Sequence, residues 1–342
     1  MNFVSMAYAI RTGPVRNQLL CLAVFLLVVA LCPLVMNDYW LRLMVFVFVN
    51  IGLASSWNLI GGFGGYASFG HGVFFGVGAF AGAVGMVRFG LPLPAVMVIG
   101  GALSAALAAL FVPVFRQKGL YFALSTLAVM LVFETVLQRW TFTRGLRSYD
   151  LGWTLAPSLP LEGFFYLFLG LLGLIVGSII VVVRSKIGYA LHAIRKDEVL
   201  ASSIGVRTTK YKAITFMISA AWPGVLGAAF APFLAYVSVQ SVFDVSITLN
   251  MILITIFGGA GTVIGPIVGG IALSIIDQIA WGNFLEYHRL IYGALIVAIT
   301  TLHPGGLASV FWGWVERRRS AAKPVPRPSA PGHPPTSAPR RA

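Results

Sequence analysis

Ten long apolar intervals punctuate this chain, at residues 19–36, 41–60, 66–87, 95–115, 120–138, 164–183, 213–238, 247–260, 264–280 and 289–303. About 20 apolar residues in helical form cross a bilayer. Polar residues collect between these intervals, above all in 184–212 and beyond 315. The pattern predicts an all-α polytopic membrane protein with about ten transmembrane helices, some broken by Gly-rich segments. The eighth and ninth intervals are short and glycine-interrupted, as half-helices or a re-entrant pair would be. Three regions follow: a short arm (1–18), a transmembrane domain (19–303) and a basic, proline-rich tail (304–342) that is expected to be disordered, since its residues 316–342 hold seven prolines and seven Lys/Arg and almost nothing apolar.

Glycine marks where the helices should break. Ten glycines fall from Gly61 to Gly85, nine of them in NLIGGFGGYASFGHGVFFGVGAFAG (58–82), and a second cluster, IFGGAGTVIGPIVGG, occupies 256–270. Each glycine weakens a helix by about 1 kcal/mol relative to alanine. Inside a bilayer such breaks survive only where neighbouring protein or a water-filled cavity satisfies the freed backbone groups. Two glycine-rich breaks therefore point to a pathway through the membrane. Gly61 and Gly64 in the first cluster, and Gly258 and Gly261 in the second, are candidate pathway residues. Asn58, Tyr66, Ser68 and His71 supply hydrogen-bonding groups beside the first break, where freed N–H groups can bind a carboxylate. The plainer alternatives are close helix packing through the GxxxG pairs and an internally hydrogen-bonded structural histidine.

Composition agrees with lipid as the main solvent. Only 10% of the 342 residues are charged, against about 25% in soluble domains. The net charge of +14 is not arranged for nucleic acid: it falls in short blocks between apolar runs. With the N-terminus cytoplasmic, 18 Lys/Arg lie inside and six outside, the asymmetry that the positive-inside rule describes. The C-terminus is then cytoplasmic too. Cys21 and Cys32 both lie in the first apolar run and form no disulfide framework or metal spacing. That run lacks a small-x-small cleavage site and reads as an uncleaved span rather than a signal peptide. Glu134 and Asp277 are acids within spans, each about one turn from the outer end, where interfacial water can reach them. No GxxxxGK[ST] occurs, so nothing here cradles ATP phosphates.

Residues 184–212, RSKIGYALHAIRKDEVLASSIGVRTTKYK, carry Ile187, Leu191, Ile194, Ala201 and Ile204 at helical spacing. This predicts a short amphipathic helix or helix pair stopped at Gly205. Its apolar face can lie on the membrane or enter a groove on a partner.

The segment IGYALHAIRKDEVLASSIGV, followed by KYKAITFMISA, resembles the cytoplasmic coupling segment of branched-chain amino-acid ABC permeases of the LivM type. NLIGGFGGYASFGHGVFFGVGAF, GLYFALSTLAVM and IFGGAGTVIGPIVGG are similar to that family's other blocks, in the expected order over residues 50–300. Ala201 and Gly205 keep the spacing of the coupling motif, whereas Val199 stands where a Glu is usual, so no ion pair is assigned there. The resemblance implies a bacterial inner-membrane subunit without a catalytic centre or cofactor of its own. It implies a second related permease, two cytoplasmic ATPase subunits that carry ATP-Mg, and a periplasmic binding protein. Leu191, Ile194, Glu198, Ala201 and Gly205 are the implied ATPase-coupling residues. Leucine, isoleucine and valine are the family's usual cargo; related permeases carry urea, short amides or aromatic acids. A proton-coupled secondary transporter would want acids at mid-membrane, and a membrane hydrolase would want an acid beside Ser68 and His71. Neither is present.

Overall fold

A computed structural model describes residues 15–117, 119–139 and 152–283. The expected span at 289–303, the tail, the Asp277 side chain and residues 140–151 of the 139–163 connection lie outside the described residues. Within them the chain is helical, and eight helices are long and apolar enough to cross a membrane. The first is α1 (Val15–Ala30), continued by a 3-10 turn at Cys32–Leu34. Asn37 caps α2 (Asp38–Asn58) by accepting from the Trp40 N–H, and a π-helical turn at Leu59–Phe63 extends it. Then come α3 (Gly72–Phe89), α4 (Leu93–Leu110) and α5 (Leu120–Arg139), with a 3-10 turn at Val112–Arg116 between the last two. A tight link joins α3 to α4: Gly90 adopts a left-handed φ of 61°, and Pro94 sits in the first turn of α4, where its missing N–H costs nothing.

Helix α6 (Leu161–Val183) leads into the polar segment, which folds as the expected pair, α7 (Lys186–Lys196) and α8 (Glu198–Ser203). Ser185 caps the first and Asp197 the second, the latter accepting from the N–H groups of Val199 and Leu200. Helix α9 (Thr208–Leu234) follows with two internal prolines, then the one-turn α10 (Val239–Val242), α11 (Val245–Gly258) and α12 (Gly265–Asn283). With 14 residues, α11 spans only about 21 Å, and α10 completes the crossing. At the end opposite the polar segment, β1 (Gly152–Thr154) pairs antiparallel with β2 (Tyr236–Ser238). The apolar pattern does not announce this ribbon.

Helices α2, α3 and α9 form the centre. Between 61% and 72% of their spanning windows is buried, against 11% for α1 and 28% for α4 and α5. Close approach is bought with small residues: a Cβ at Gly78 would lie 2.0 Å from the Gly224 carbonyl on α9, and one at Gly227 would lie 2.1 Å from that of Phe75. The GxxxG glycines of α3 thus bring backbones together. Phe168, Phe230, Phe233 and Phe243 fill the space beyond them.

Candidate functional site

Both glycine-rich breaks come to the end of the bundle that carries α7 and α8, and they meet there. Asn58, at the last turn of α2, accepts from the Gly261 N–H and donates through Nδ2 to the Thr262 carbonyl, both at 2.8 Å. The π-helical turn leaves the Gly62 carbonyl free to accept from Arg195 of α7. Gly261 has a φ of +79°, and a Cβ on it would lie 2.4 Å from Arg195 Nη1 and 3.2 Å from the Gly62 oxygen. At Gly62 the added atom would fall 2.5 Å from the Gly261 nitrogen. Two broken helices and a coupling helix therefore converge where no side chain fits. Gly61 packs against the Trp57 indole and Gly258 against the Gly265 backbone, while Gly64 lies over the Ile60 carbonyl. The candidate pathway glycines are closed contacts in this conformation.

The polar residues beside the break are buried, and proline explains one of them. Pro223 has no N–H, so the Ser219 carbonyl four residues earlier in α9 loses its helical donor. His71 Nε2 and the Ser56 hydroxyl both donate to that carbonyl, the former at 3.1 Å. Because a carbonyl only accepts, Nε2 carries the ring proton. The imidazole packs edge-on against Phe74 and Phe216. Nearby, Trp57 Nε1 donates to the Ser68 carbonyl at 2.7 Å. Among the described residues, His71 Nδ1 and the Ser68 hydroxyl have no hydrogen-bond partner, although both are fully buried. No three His, Cys, Asp or Glu side chains among those residues are grouped as metal ligands would be. Glu134, half-buried in α5, accepts from Gln138 one turn on.

The coupling segment is tied to this junction by a buried ion pair. Glu198, first residue of α8, lies 2.6 Å from Lys212 of α9, whose side chain is only 2% exposed. The three ammonium hydrogens have three acceptors: Glu198, the Tyr66 hydroxyl at 3.1 Å and the Phe115 carbonyl at 3.4 Å. Tyr66 in turn donates to the other Glu198 oxygen at 2.6 Å, and the ammonium stands 4.6 Å above the Tyr66 ring centre. Burial raises the Tyr66 pKa above its ordinary value, and the Glu198 hydrogen bond and charge raise it further. Four segments meet here: the first break, the 112–116 turn, α8 and α9. In the sequence Lys212 is one of seven Lys/Arg in the polar segment 184–212, with nothing to set it apart from the others. The available signal was a charge in the second turn of an apolar helix, beside the start of its apolar stretch.

The middle of the apolar stripe in the coupling segment points inward, whereas Ile187 is partly buried and Ile204 is exposed. Leu191, Ile194 and Ala201 are buried in this chain, in one cluster with Ile60, Tyr66, Phe115 and Phe216 for the latter two. A partner cannot reach them without unpacking the bundle end. The apolar surface left exposed in this segment is formed by Tyr189, Val199, Leu200 and Ile204. Gly205 has a φ of +89°, which favours glycine, and a Cβ there would meet nothing within 4 Å in this chain.

A family model described as "Branched-chain amino acid transport system / permease component" matches residues 39–300. The chain is 27% identical to the high-affinity branched-chain amino acid transport system permease protein LivM of Escherichia coli K12, over 92% of this chain and 80% of that one. Against LivM of Salmonella typhimurium the identity is again 27%, over 87% and 76%. The probable permease protein LivH of Methanocaldococcus jannaschii is 26% identical over 44% of this chain and 49% of its own. No solved structure matches.

Proposed function

Because the chain belongs to the family of permease components of branched-chain amino acid transport systems, we propose that it is one membrane-spanning subunit of an ATP-driven importer of branched-chain amino acids. The end bearing α7 and α8 faces the cytoplasm, in accord with the basic bias of the loops, and the ribbon end faces the periplasm of an inner membrane. A related second permease completes the pathway, and a periplasmic binding protein delivers cargo at the ribbon end. Two cytoplasmic ATPase subunits bind ATP-Mg, and one of them docks on the exposed ridge of Val199 and Leu200.

One observation carries this reading: the coupling helices hold the glycine junction. Arg195 grips the Gly62 carbonyl, while Glu198 holds Lys212 and Tyr66. Displacement of α8 by a partner pulls on the first break directly, and through Gly62, Asn58 and Gly261 on the second. The junction is then an inner gate, shut in this conformation. Asn58, Gly61, Gly64, Tyr66, Ser68, His71, Gly258 and Gly261 are the residues that part when it opens. Ser68 Oγ and His71 Nδ1 are polar groups that cargo meets beside it.

The test is ATP-driven uptake of labelled leucine into proteoliposomes that hold the chain with its partner subunits. Leu200→Asp, on the exposed ridge, should leave the permease folded and strip the ATPase from it, because an unpaired charge buried at an interface costs several kcal/mol. Retention of the ATPase together with normal uptake would refute the docking ridge.

A further inference from the structure

The segment that carries the coupling helices also encloses a cleft that neither the gate nor the Val199/Leu200 ridge uses. Its volume is about 560 Å³, and it lies between α7, the 204–207 turn and the first turn of α9. Lys186, Arg207 and Lys210 line it, and among the described residues no Asp or Glu does. Three cations that share a cleft without an acid repel one another until an anion enters.

Its height in the membrane narrows the choice of anion. Lys186 follows the end of α6 at Val183 by three residues, and Lys210 precedes the apolar stretch of α9 that begins at Ala213 by the same number. Both helices leave the hydrocarbon at this level, so the cleft opens among the headgroups. Tyr189 and Tyr211 line it too, and tyrosine favours that layer. Tyr189 and Ile204, both more than two-thirds exposed, offer apolar surface at its edge. We propose that the cleft binds the phosphate of an anionic phospholipid in the leaflet facing α7 and α8. The inference rests on the membrane-spanning reading and not on the identity of the cargo. The rival occupant is an acidic side chain of a docked partner. The lining argues against it, since Val199 and Leu200, the ridge suited to a partner, take no part in the cleft.

The experiment is native mass spectrometry of the full chain purified in detergent with its partner subunits. Phosphatidylglycerol is titrated in, with phosphatidylcholine as the control lipid and inorganic phosphate as competitor. The test variant is Lys186→Gln/Arg207→Gln/Lys210→Gln; Lys196→Gln/Arg318→Gln/Arg319→Gln removes as many charges elsewhere. Each basic residue near an anionic surface contributes about fivefold in affinity, so the cleft variant should bind phosphatidylglycerol about 100-fold more weakly. The control variant should bind as the unaltered chain does, and millimolar phosphate should not displace the lipid. Lys210→Gln alone, expected to weaken binding about fivefold, gives the answer if the triple variant misfolds. Equal retention by cleft variant and unaltered chain overturns the proposal. So does displacement by phosphate, which would mark a site for the free ion. Loss of partner subunits with lipid retention unchanged would assign the cleft to an acidic partner instead. The readout needs neither ATP nor cargo, so it fails or succeeds separately from the transport reading.

Discussion

Removing the Glu198 charge while leaving Lys212 in place should be the most damaging conservative change at the gate. Glu198→Gln strands an ammonium whose side chain is 2% exposed. Breaking a buried pair from one side costs about 3–5 kcal/mol; because Gln can still accept one hydrogen bond, we expect about 3. Lys212→Met leaves the carboxylate behind, but Glu198 is 19% exposed and keeps its hydrogen bond from Tyr66. Water can reach it, so about 1–2 kcal/mol is expected. In Glu198→Gln/Lys212→Met the desolvation penalty disappears with the charges, and replacing a buried pair by neutral groups is often nearly neutral. The assay is thermal unfolding of the detergent-purified complex under one scan rate. For a chain of this size 1 kcal/mol shifts the midpoint by about 2–4 °C. Glu198→Gln should thus lower it by about 6–12 °C, Lys212→Met by about half as much, and the double variant by less than either. The double variant should still uncouple transport: ATPase subunits bind and hydrolyse ATP while leucine uptake falls. A double variant destabilised by the sum of the singles would refute the pair. One that is stable and transports normally would show that the gate does not need the tie.

Gly261→Ala forces a side chain into a φ of +79° and against Arg195; uptake should fall at least tenfold with the complex assembled, whereas Gly205→Ala, strained but unobstructed, should retain more. His71→Ala removes a donor from the Ser219 carbonyl and should cost about 1–3 kcal/mol in thermal unfolding. Pro223→Ala in the same chain restores the helical N–H to that carbonyl, so the double variant should recover part of the loss; no recovery would mean that His71 is needed for something other than this bond. Tyr66 stays protonated beyond the ordinary tyrosine range near pH 10, so its share of stability is intact below that pH and is lost as pH rises through the raised value. The tyrosinate difference spectrum between the unaltered chain and Tyr66→Phe should show no ionisation at pH 10, and an ordinary titration would contradict the buried network. Cysteines placed at Ser148 and Ser185 should label from opposite sides of intact cells; labelling of both from outside would overturn the orientation.

The helices were legible because a bilayer demands long apolar runs, and the chain has little else. Nine of the ten intervals fall on helices, and the tenth lies outside the described residues. The third begins at Gly72 and not near residue 66, since Gly65, at φ +77°, and the Trp57–Ser68 hydrogen bond hold the intervening chain out of the helix. Glycine spacing marked both breaks, but not that they touch: that contact joins residues about 200 apart through one asparagine side chain, and no periodicity encodes it. The ribbon of β1 and β2 was invisible for a similar reason. Three-residue strands carry too few alternations to register, and the two strands are separated in the chain by the four helices α6 to α9.

Val199 shows how a motif can mislead by one position. A missing acid there argued against an ion pair, yet the acid next to it, Glu198, makes one, because as the first residue of α8 it lies beside the start of α9. Ile194 and Ala201 mislead in another way. Helical periodicity tells which face is apolar but not what covers it, and an amphipathic helix at a membrane exit has three candidates: lipid, a partner and its own bundle. The bundle wins wherever a broken helix leaves apolar surface uncovered at its end. Here the break at Gly62–Gly65 exposes Ile60 and Tyr66, and Ile194 and Ala201 close over them. The same glycines that open the helix therefore dictate which face of the coupling segment is spent inside the chain. What remains for a partner is the opposite face, so Ile194→Asp should unfold the bundle end, whereas Leu200→Asp should only detach what docks there. An Ile194→Asp chain that kept its thermal midpoint and lost only its ATPase would place the partner on the inner face and undo this account.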